Sequence, residues 1–152
     1  MPTKNVINVL MADDDPDDRH FFEMALNKLA IPTTFHAVTD GEELIEYLLK
    51  NKEHPPHILF LDINMPRKNG YECLREIKAN EHLKRLPVVM YSTSLKDAMA
   101  DMLYQEGAHY YLCKSNLKDL VLQLQKLLPK LANGCFHRPK KGEFIINGIR
   151  VI

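Results

Sequence analysis

The chain has 152 residues, and its 20 basic and 20 acidic residues give a formal net charge of zero. That length favours one domain with a sizeable core. A balanced charge argues against a nucleic-acid-binding surface, which would need a basic excess or a clustered basic face.

The three cysteines, Cys73, Cys113 and Cys135, are widely spaced and form no CxxC pair. This spacing favours neither a zinc site nor a disulfide framework. The first residues lack the apolar core of a signal peptide, and no apolar run approaches the roughly 18 residues that a membrane span needs. A reduced, cytoplasmic setting without a membrane segment is therefore expected.

Short apolar runs alternate with amphipathic segments five times along the chain. The apolar runs predict strands at residues 6–11, 35–38, 58–62, 87–91 and 110–113. Each is followed by a predicted helix, the five helices beginning near residues 16, 40, 71, 96 and 116, and the last is expected to be ended by Pro129 and Asn133-Gly134. Such alternation indicates βαβ units and a doubly wound parallel sheet between two helical layers.

The tail has a different pattern, because Asn147-Gly148 separates two runs rich in β-forming residues. This is a strong short-range signal for a β-hairpin. The hairpin is either a small ribbon packed on its own domain, or an exposed ribbon that pairs with a partner or a second copy.

Polar side chains stand where four of the predicted strands end. If the strands are parallel, these side chains share one rim of the sheet, where α/β proteins bind their ligands. The residues at this rim are Asp13, Asp14 and Asp15, then Asp62, then Ser92 and Thr93, and finally Lys114.

An acidic cluster, a hydroxyl and a lysine at one rim fit phosphoryl transfer. Several partly buried carboxylates repel one another, and Mg²⁺, which prefers oxygen ligands, relieves that repulsion. A lysine and a hydroxyl suit an oxyanion, and Asp62 is the plausible nucleophile. Each piece also has an ordinary explanation, such as a favourable helix start for the Asp run. Asp17 and Asp18 are interpreted as helix-start or surface charges only.

These motifs, in this order, resemble the receiver domain of two-component response regulators, close to the single-domain chemotaxis type. The matching stretches are VLMADDDP at 9–16, ILFLDINMP at 58–66, NG at 69–70, PVVMYST at 87–93, and residues 107–114. The resemblance covers residues 4–131. It implies an α/β fold with a five-stranded, flavodoxin-like parallel sheet in the strand order 2-1-3-4-5.

The resemblance also implies roles for individual residues. Asp62 would accept a phosphoryl group from a histidine kinase or a histidine phosphotransfer protein. Mg²⁺ or Mn²⁺ would be bound by Asp13, Asp14, Asp62 and the backbone carbonyl of Asn64.

Other positions match the phosphoryl-binding and switch residues of the family. Ser92, Thr93 and Lys114 would contact the phosphoryl group. Tyr111 matches the switch aromatic, the alternative being an ordinary half-buried strand tyrosine. Asn64 and Ser94 match the positions that tune dephosphorylation.

Two features depart from the family pattern. Ser115 follows Lys114 where the family usually has proline, which puts a cis peptide there in doubt. Residues 132–152 form an extension that is too short for an output domain.

The expected function is a single-domain response regulator that signals by phosphorylation-dependent binding to an unknown output protein, without nucleic acid or membrane. A phosphorelay intermediate is the alternative. A turnover phosphatase is disfavoured, because such enzymes commonly carry a second carboxylate where Asn64 stands. Dimerisation through the tail would give a homodimer.

Overall fold

A computed structural model describes residues 6–93, 97–134 and 136–146 of the chain. Its strands are β1 Ile7–Ala12, β2 Thr33–Val38, β3 Ile58–Leu61, β4 Val88–Ser92, β5 Tyr110–Cys113 and β6 Ile145–Ile146. Its α-helices are α1 Pro16–Asn27, α2 Gly41–Lys50, α3 Gly70–Ala79, α4 Asp97–Gln105 and α5 Leu117–Ala132, and a short 3₁₀ helix covers Lys141–Glu143.

The strands form one parallel sheet in the order β2-β1-β3-β4-β5-β6. The predicted order of the first five strands is therefore confirmed. β3, the central strand, is buried along its whole length, as a continuous apolar run requires when helices cover both faces. The sequence indicated β structure at β6, as one arm of a hairpin, but did not predict its pairing with β5.

Alternating side chains of the sheet face two separate apolar layers. One layer packs β1 residues such as Leu10 against α2, α3 and α4, and the other packs Val9 and Met11 against α1 and α5. This confirms the doubly wound arrangement. Among the described residues, no helix combines the length and the apolar character needed to cross a bilayer.

The fifth helix passes through Pro129, the first of its two predicted stop signals. It continues through Pro129 to Ala132 and has Asn133 as its C-cap. The stop predicted at Asn133-Gly134 is therefore confirmed, whereas Pro129 does not end the helix. Proline removes one backbone hydrogen bond and usually breaks or kinks a helix. Here Leu127 and Leu128 before it are buried, and Leu131 after it packs against the same apolar layer. The continuing apolar face therefore outweighs the local preference of proline.

Residues 136–146, which we call the C-terminal strap, lie along α4 and β5. The Tyr104 hydroxyl donates to the Pro139 carbonyl at 2.9 Å, and Arg138 Nε donates to the Ala108 carbonyl at 3.2 Å. The Tyr111 N–H donates to the carbonyl of Phe144 at 3.0 Å. The Phe144 side chain is only 2% exposed and belongs to the α2–α3–α4 layer.

The strap bears on the two interpretations of the tail. Ile145 and Ile146 pair in parallel with Tyr111 and Leu112 of the same chain. For these two residues, packing on the chain's own domain is therefore observed. The hairpin predicted at Asn147-Gly148 lies outside the described residues.

Phe144→Ala tests how firmly the strap is bound to the domain. Because Phe144 is buried against Tyr104, with ring centroids 5.2 Å apart, the substitution should lower the free energy of unfolding by about 3 kcal/mol. Urea denaturation measures this. Leu122→Ala, at a side chain that is 42% exposed, should change it by less than about 1 kcal/mol. Equal effects of the two substitutions would contradict burial of Phe144.

His109, just before β5, predicts a pH dependence of stability. Burial, reinforced by the charges of Lys78 and Arg138, lowers its pKa from 6.5 to about 4. Above pH 6.5 the ring is neutral in both the folded and the unfolded chain. As the pH falls from 6.5 to about 4, only the unfolded chain takes up the proton, so stability is lost across this window.

His109→Asn should remove this contribution. Its unfolding free energy should fall less than that of the wild type when urea denaturation at pH 7 is compared with pH 4.5. Asparagine keeps an acceptor for the Val88 N–H, which donates to His109 Nδ1 at 3.4 Å. His20→Asn, at an exposed histidine, should follow the wild-type pH profile. A wild-type profile in His109→Asn would contradict the lowered pKa.

Candidate functional site

The sheet's hydrogen-bond ladder extends one residue beyond three of its strands. The Asp13 N–H donates to the Val38 carbonyl at 3.1 Å, the Asp62 N–H to the Ala12 carbonyl at 3.0 Å, and the Lys114 N–H to the Ser92 carbonyl at 2.8 Å. Because the strands are parallel, Asp13, Asp62 and Lys114 are all fixed at the same carboxyl edge of the sheet.

Three carboxylates at this edge lie close enough to bind one metal ion. Asp13, Asp14 and Asp62 each offer an oxygen, and these oxygens lie within 4.8 Å of one another. Asp13 and Asp62 are buried, whereas Asp14 is exposed. A set of hard oxygen donors that is open to solvent on one side fits Mg²⁺ or Mn²⁺, which keep water or a substrate oxygen among their ligands.

Asp13 is held by the start of α1. Its Oδ1 accepts from the Asp15 N–H at 3.0 Å, and its carbonyl accepts from Arg19 Nη1 at 2.8 Å. Burial, with a smaller contribution from the Asp62 charge, raises the pKa of Asp13 from 3.8 to about 6, although the contacts with Lys114 and the Asp15 N–H oppose the shift. Asp15 itself caps α1, accepting from the Asp17 N–H, so the helix-start explanation holds for that member of the run.

The backbone after Asp62 is fixed by the first turn of α3. The Gly70 N–H donates to the Ile63 carbonyl at 2.8 Å. A Cβ on Gly70 would lie 2.2 Å from the Asp62 carbonyl oxygen, so this close approach requires glycine. Asn69 and Glu72 form a capping box, which makes Asn69 the N-cap of α3.

Lys114 pairs with the carboxylates of the site and has a side chain that is 11% exposed. Its ammonium donates to Asp13 Oδ2 and Asp18 Oδ2, each at 2.8 Å, and to Asp62 Oδ2 at 3.3 Å. Burial alone would lower the pKa of Lys114, but the hydrogen bonds to Asp13 and Asp18 and the charge of Asp62 outweigh it and raise the pKa above its ordinary range.

The contact with Asp18 corrects the interpretation of that residue as a mere helix-start or surface charge. The neighbouring Asp17 is exposed, as that interpretation expects. Asp18 instead reaches Lys114 across 96 positions of sequence. No local pattern distinguishes the two, because the difference depends on which side of α1 faces the sheet edge.

The hydroxyl side of the site is formed by the end of β4. Ser92 is 1% exposed, while Thr93 is exposed to solvent. Tyr111 is fully buried, so the half-buried interpretation of this residue is wrong. Burial raises the pKa of Tyr111 to about 12, opposed by a side-chain hydrogen bond with Ser92.

Asn64 and Ser115 lie in the loops that follow β3 and β5. Asn64 is exposed, and its N–H donates to Asp62 Oδ1 at 3.3 Å. The peptide between Lys114 and Ser115 is trans. Ser94 lies outside the described residues.

Comparison with known proteins identifies the relatives of this arrangement. Residues 9–125 match the family described as the response regulator receiver domain. The chain is 34% identical over 122 residues to the response regulator Rcp1 of Synechocystis, covering 77% of this chain and 83% of Rcp1. It is 31% identical to the rice two-component response regulator ORR1 (Oryza sativa subsp. indica) over 87% of this chain, but spans only 59% of ORR1.

Solved structures of response regulators have the same fold as this chain. The phosphorylated cyanobacterial phytochrome response regulator RcpA matches with a TM-score of 0.76 and 28% identity, over 90% of this chain and all of RcpA. The Mn²⁺-bound form of Rcp1 matches with a TM-score of 0.73 and 30% identity, over 88% of this chain and 99% of that one.

Lys114→Met tests the charge balance of the site. The substitution leaves buried carboxylates without their shared cation, so the free energy of unfolding without metal should fall by about 2 kcal/mol. Saturating Mg²⁺ should stabilise this variant more than the wild type, because the metal compensates the same carboxylates. Urea denaturation with and without Mg²⁺ measures both effects. Lys118→Met, at an exposed lysine, should behave as the wild type, and an equal loss there would contradict the assignment.

Proposed function

Because the chain belongs to the response regulator receiver domain family, we propose that it is a phosphorylation-controlled binding protein that accepts a phosphoryl group on Asp62. Receiver domains are signalling proteins rather than turnover enzymes. Here the donor would be a histidine kinase or a histidine phosphotransfer protein, and the phosphorylated protein would signal by binding an output protein.

One observation carries the proposal, namely the convergence of an acidic cluster and a lysine on Asp62. The oxygens of Asp13, Asp14 and Asp62 lie within 4.8 Å of one another, and Lys114 Nζ lies 3.3 Å from Asp62 Oδ2. Phosphoryl transfer depends mainly on positioning and on neutralising charge. A carboxylate between a metal site and a lysine meets both needs.

The transfer step uses the carboxylate as nucleophile. An Asp62 oxygen forms a bond to phosphorus while the bond from phosphorus to the donor atom breaks, and the donor leaves with that electron pair. Mg²⁺, held by Asp13, Asp14, Asp62 and the Asn64 carbonyl, would supply charge neutralisation for the phosphoryl oxygens. That a structure of the relative Rcp1 is a Mn²⁺-bound form supports a divalent cation as a ligand of this chain.

The groups around Asp62 would interact with the negative charge that phosphorylation adds there. Phosphorylation adds nearly two negative charges and strong acceptor oxygens. Lys114 already contacts Asp62 and would pair with a phosphoryl oxygen. Ser92 would donate its hydroxyl, with Thr93 beside it. Since Ser92 is hydrogen-bonded to Tyr111, its reorientation would change the surroundings of that ring on β5.

The output surface is proposed to be formed by α4, β5 and α5. Tyr111 connects β5 to the site. If these elements shift between two conformations, an output protein could bind one conformation more tightly than the other. The strap already covers part of α4 and β5. We take residues 4–131 as the receiver domain and residues 132–152 as its extension.

The residues beside the acceptor are proposed to set the lifetime of the phosphorylated state. Asn64 stands two positions after Asp62 and is exposed, where its side chain would meet the water that attacks the phosphoryl group. A carboxamide cannot serve as a general base there, which favours a slowly reset switch over a phosphatase. Ser94 is the other position proposed for this role.

Labelling with acetyl phosphate and Mg²⁺ tests the proposal. Intact-mass spectrometry of the full chain should show the mass of one added phosphoryl group, and hydroxylamine should remove it, as expected of an acyl phosphate. Asp62→Asn should abolish the addition, because the amide is not a nucleophile. Omitting Mg²⁺ should slow it at least about tenfold.

Asp101→Asn is the matched control, since its carboxylate lies on α4, is 52% exposed and pairs with Lys141. This variant should be labelled as the wild type is. Full labelling of Asp62→Asn, or no labelling of the wild type by acetyl phosphate or by any tested histidine kinase, would overturn the proposal.

A further inference from the structure

Lys114 has one carboxylate partner more than the proposed metal and phosphoryl site requires. We propose that Asp18 is a positioning residue that holds the Lys114 ammonium at the side of the site, so that Asp13 and Asp62 keep oxygens available for a divalent cation. This inference rests on the proposed function only for the identity of the metal ligands.

The Lys114 ammonium is shared by three carboxylate acceptors. It has three protons, and Asp13, Asp18 and Asp62 each accept from it. The Asp18 contact, at 2.8 Å, is shorter than the Asp62 contact, at 3.3 Å. Lys114 is therefore held more closely by Asp18 than by the proposed phosphoacceptor.

Two of the three acceptors also belong to the acidic cluster. Asp13 and Asp62 offer oxygens to the cluster, whereas Asp18 does not take part in it. A metal ion bound there competes with Lys114 for these carboxylates, and the two cations repel each other. Asp18 gives the ammonium a partner that the metal does not use. Its side chain is 33% exposed, so it can follow small movements of Lys114.

The ordinary role of an acidic residue in the first turn of a helix is to stabilise the helix N-terminus. Asp17 and Asp18 both occupy the first turn of α1. That role, and any general attraction of cations by a negative charge, would be shared by the two residues. Only Asp18 contacts Lys114, so Asp17 is the matched control.

Removing Asp18 should weaken Mg²⁺ binding. In Asp18→Asn the amide oxygen can still accept a hydrogen bond but carries no charge. With Asp13 and Asp62 as its remaining anionic partners, Lys114 would compete more strongly for the metal's ligands. We expect the Mg²⁺ dissociation constant of Asp18→Asn to rise about fivefold, against less than about twofold for Asp17→Asn. Titration of the full chain with Mg²⁺, followed by ¹H–¹⁵N amide spectra, measures this without phosphorylation.

The lysine ammonium gives a second readout that a purely structural role would not change. In the wild type, the ¹⁵N–¹H signal of Lys114 Nζ, assigned by its absence in Lys114→Met, should persist at saturating Mg²⁺, since Asp18 still protects it. In Asp18→Asn, where the neutral amide holds the ammonium only weakly, Mg²⁺ should remove the signal through faster exchange with water. Asp17→Asn should retain it.

The outcomes separate this inference from the proposed function. An Mg²⁺ affinity in Asp18→Asn equal to that in Asp17→Asn, or an ammonium signal that persists there with Mg²⁺, would overturn the role of Asp18 while leaving labelling at Asp62 intact. A wild-type chain that does not bind Mg²⁺ would overturn the role of Asp18 as well. Loss of labelling alone, with both expected effects of Asp18→Asn present, would overturn only the phosphoacceptor assignment.

Discussion

A single ammonium group shared by three carboxylates ties together the carboxyl edge of the sheet. Lys114 follows β5, Asp62 follows β3, Asp13 follows β1, and Asp18 lies in α1. Asp13 is fully buried, and a buried carboxylate is costly unless a cation and hydrogen bonds compensate it. Asp13, Asp18 and Asp62 lie 101, 96 and 52 positions from Lys114 in the sequence. The site therefore exists only when the tertiary fold does, and its unpaired negative charge is what makes it suitable for a divalent cation.

The parallel register of the strands fixes the backbone positions of the residues at this edge. Because each of Asp13, Asp62 and Lys114 donates its own N–H to a neighbouring strand, their backbones are extensions of the sheet rather than of mobile loops. On its other side, the Asp62 backbone lies so close to Gly70 that position 70 has no room for a side chain. A rigid frame fixes Asp62 and Lys114, while Asp14 and Asn64 are exposed to solvent.

The sequence could predict what depends on strand periodicity and on strand ends. β1 to β5, their order and the residues at their carboxyl ends follow from apolar runs, loop signals and the family resemblance. The sequence could not predict contacts that depend on the orientation of a helix or on the position of the C-terminal strap. Asp17 and Asp18 are identical in type and adjacent, yet only Asp18 meets Lys114. Pro129 signals a helix end, but the apolar face beyond it keeps α5 intact. Ile145-Ile146 shows β character without revealing that its partner is β5.

Tyr111 joins the site to the strap, and this gives the extension a physical connection to Asp62. Its side chain is hydrogen-bonded to Ser92, and its N–H donates to the Phe144 carbonyl at 3.0 Å. Phe144 in turn packs against Tyr104 of α4. A displacement of Tyr111 from its buried position would alter contacts with both Ser92 and the strap. Two events that change the same contacts are thermodynamically linked, and the linkage acts equally in both directions. Displacement of the strap and reorientation of Ser92 would therefore be linked to the extent that each of them moves Tyr111.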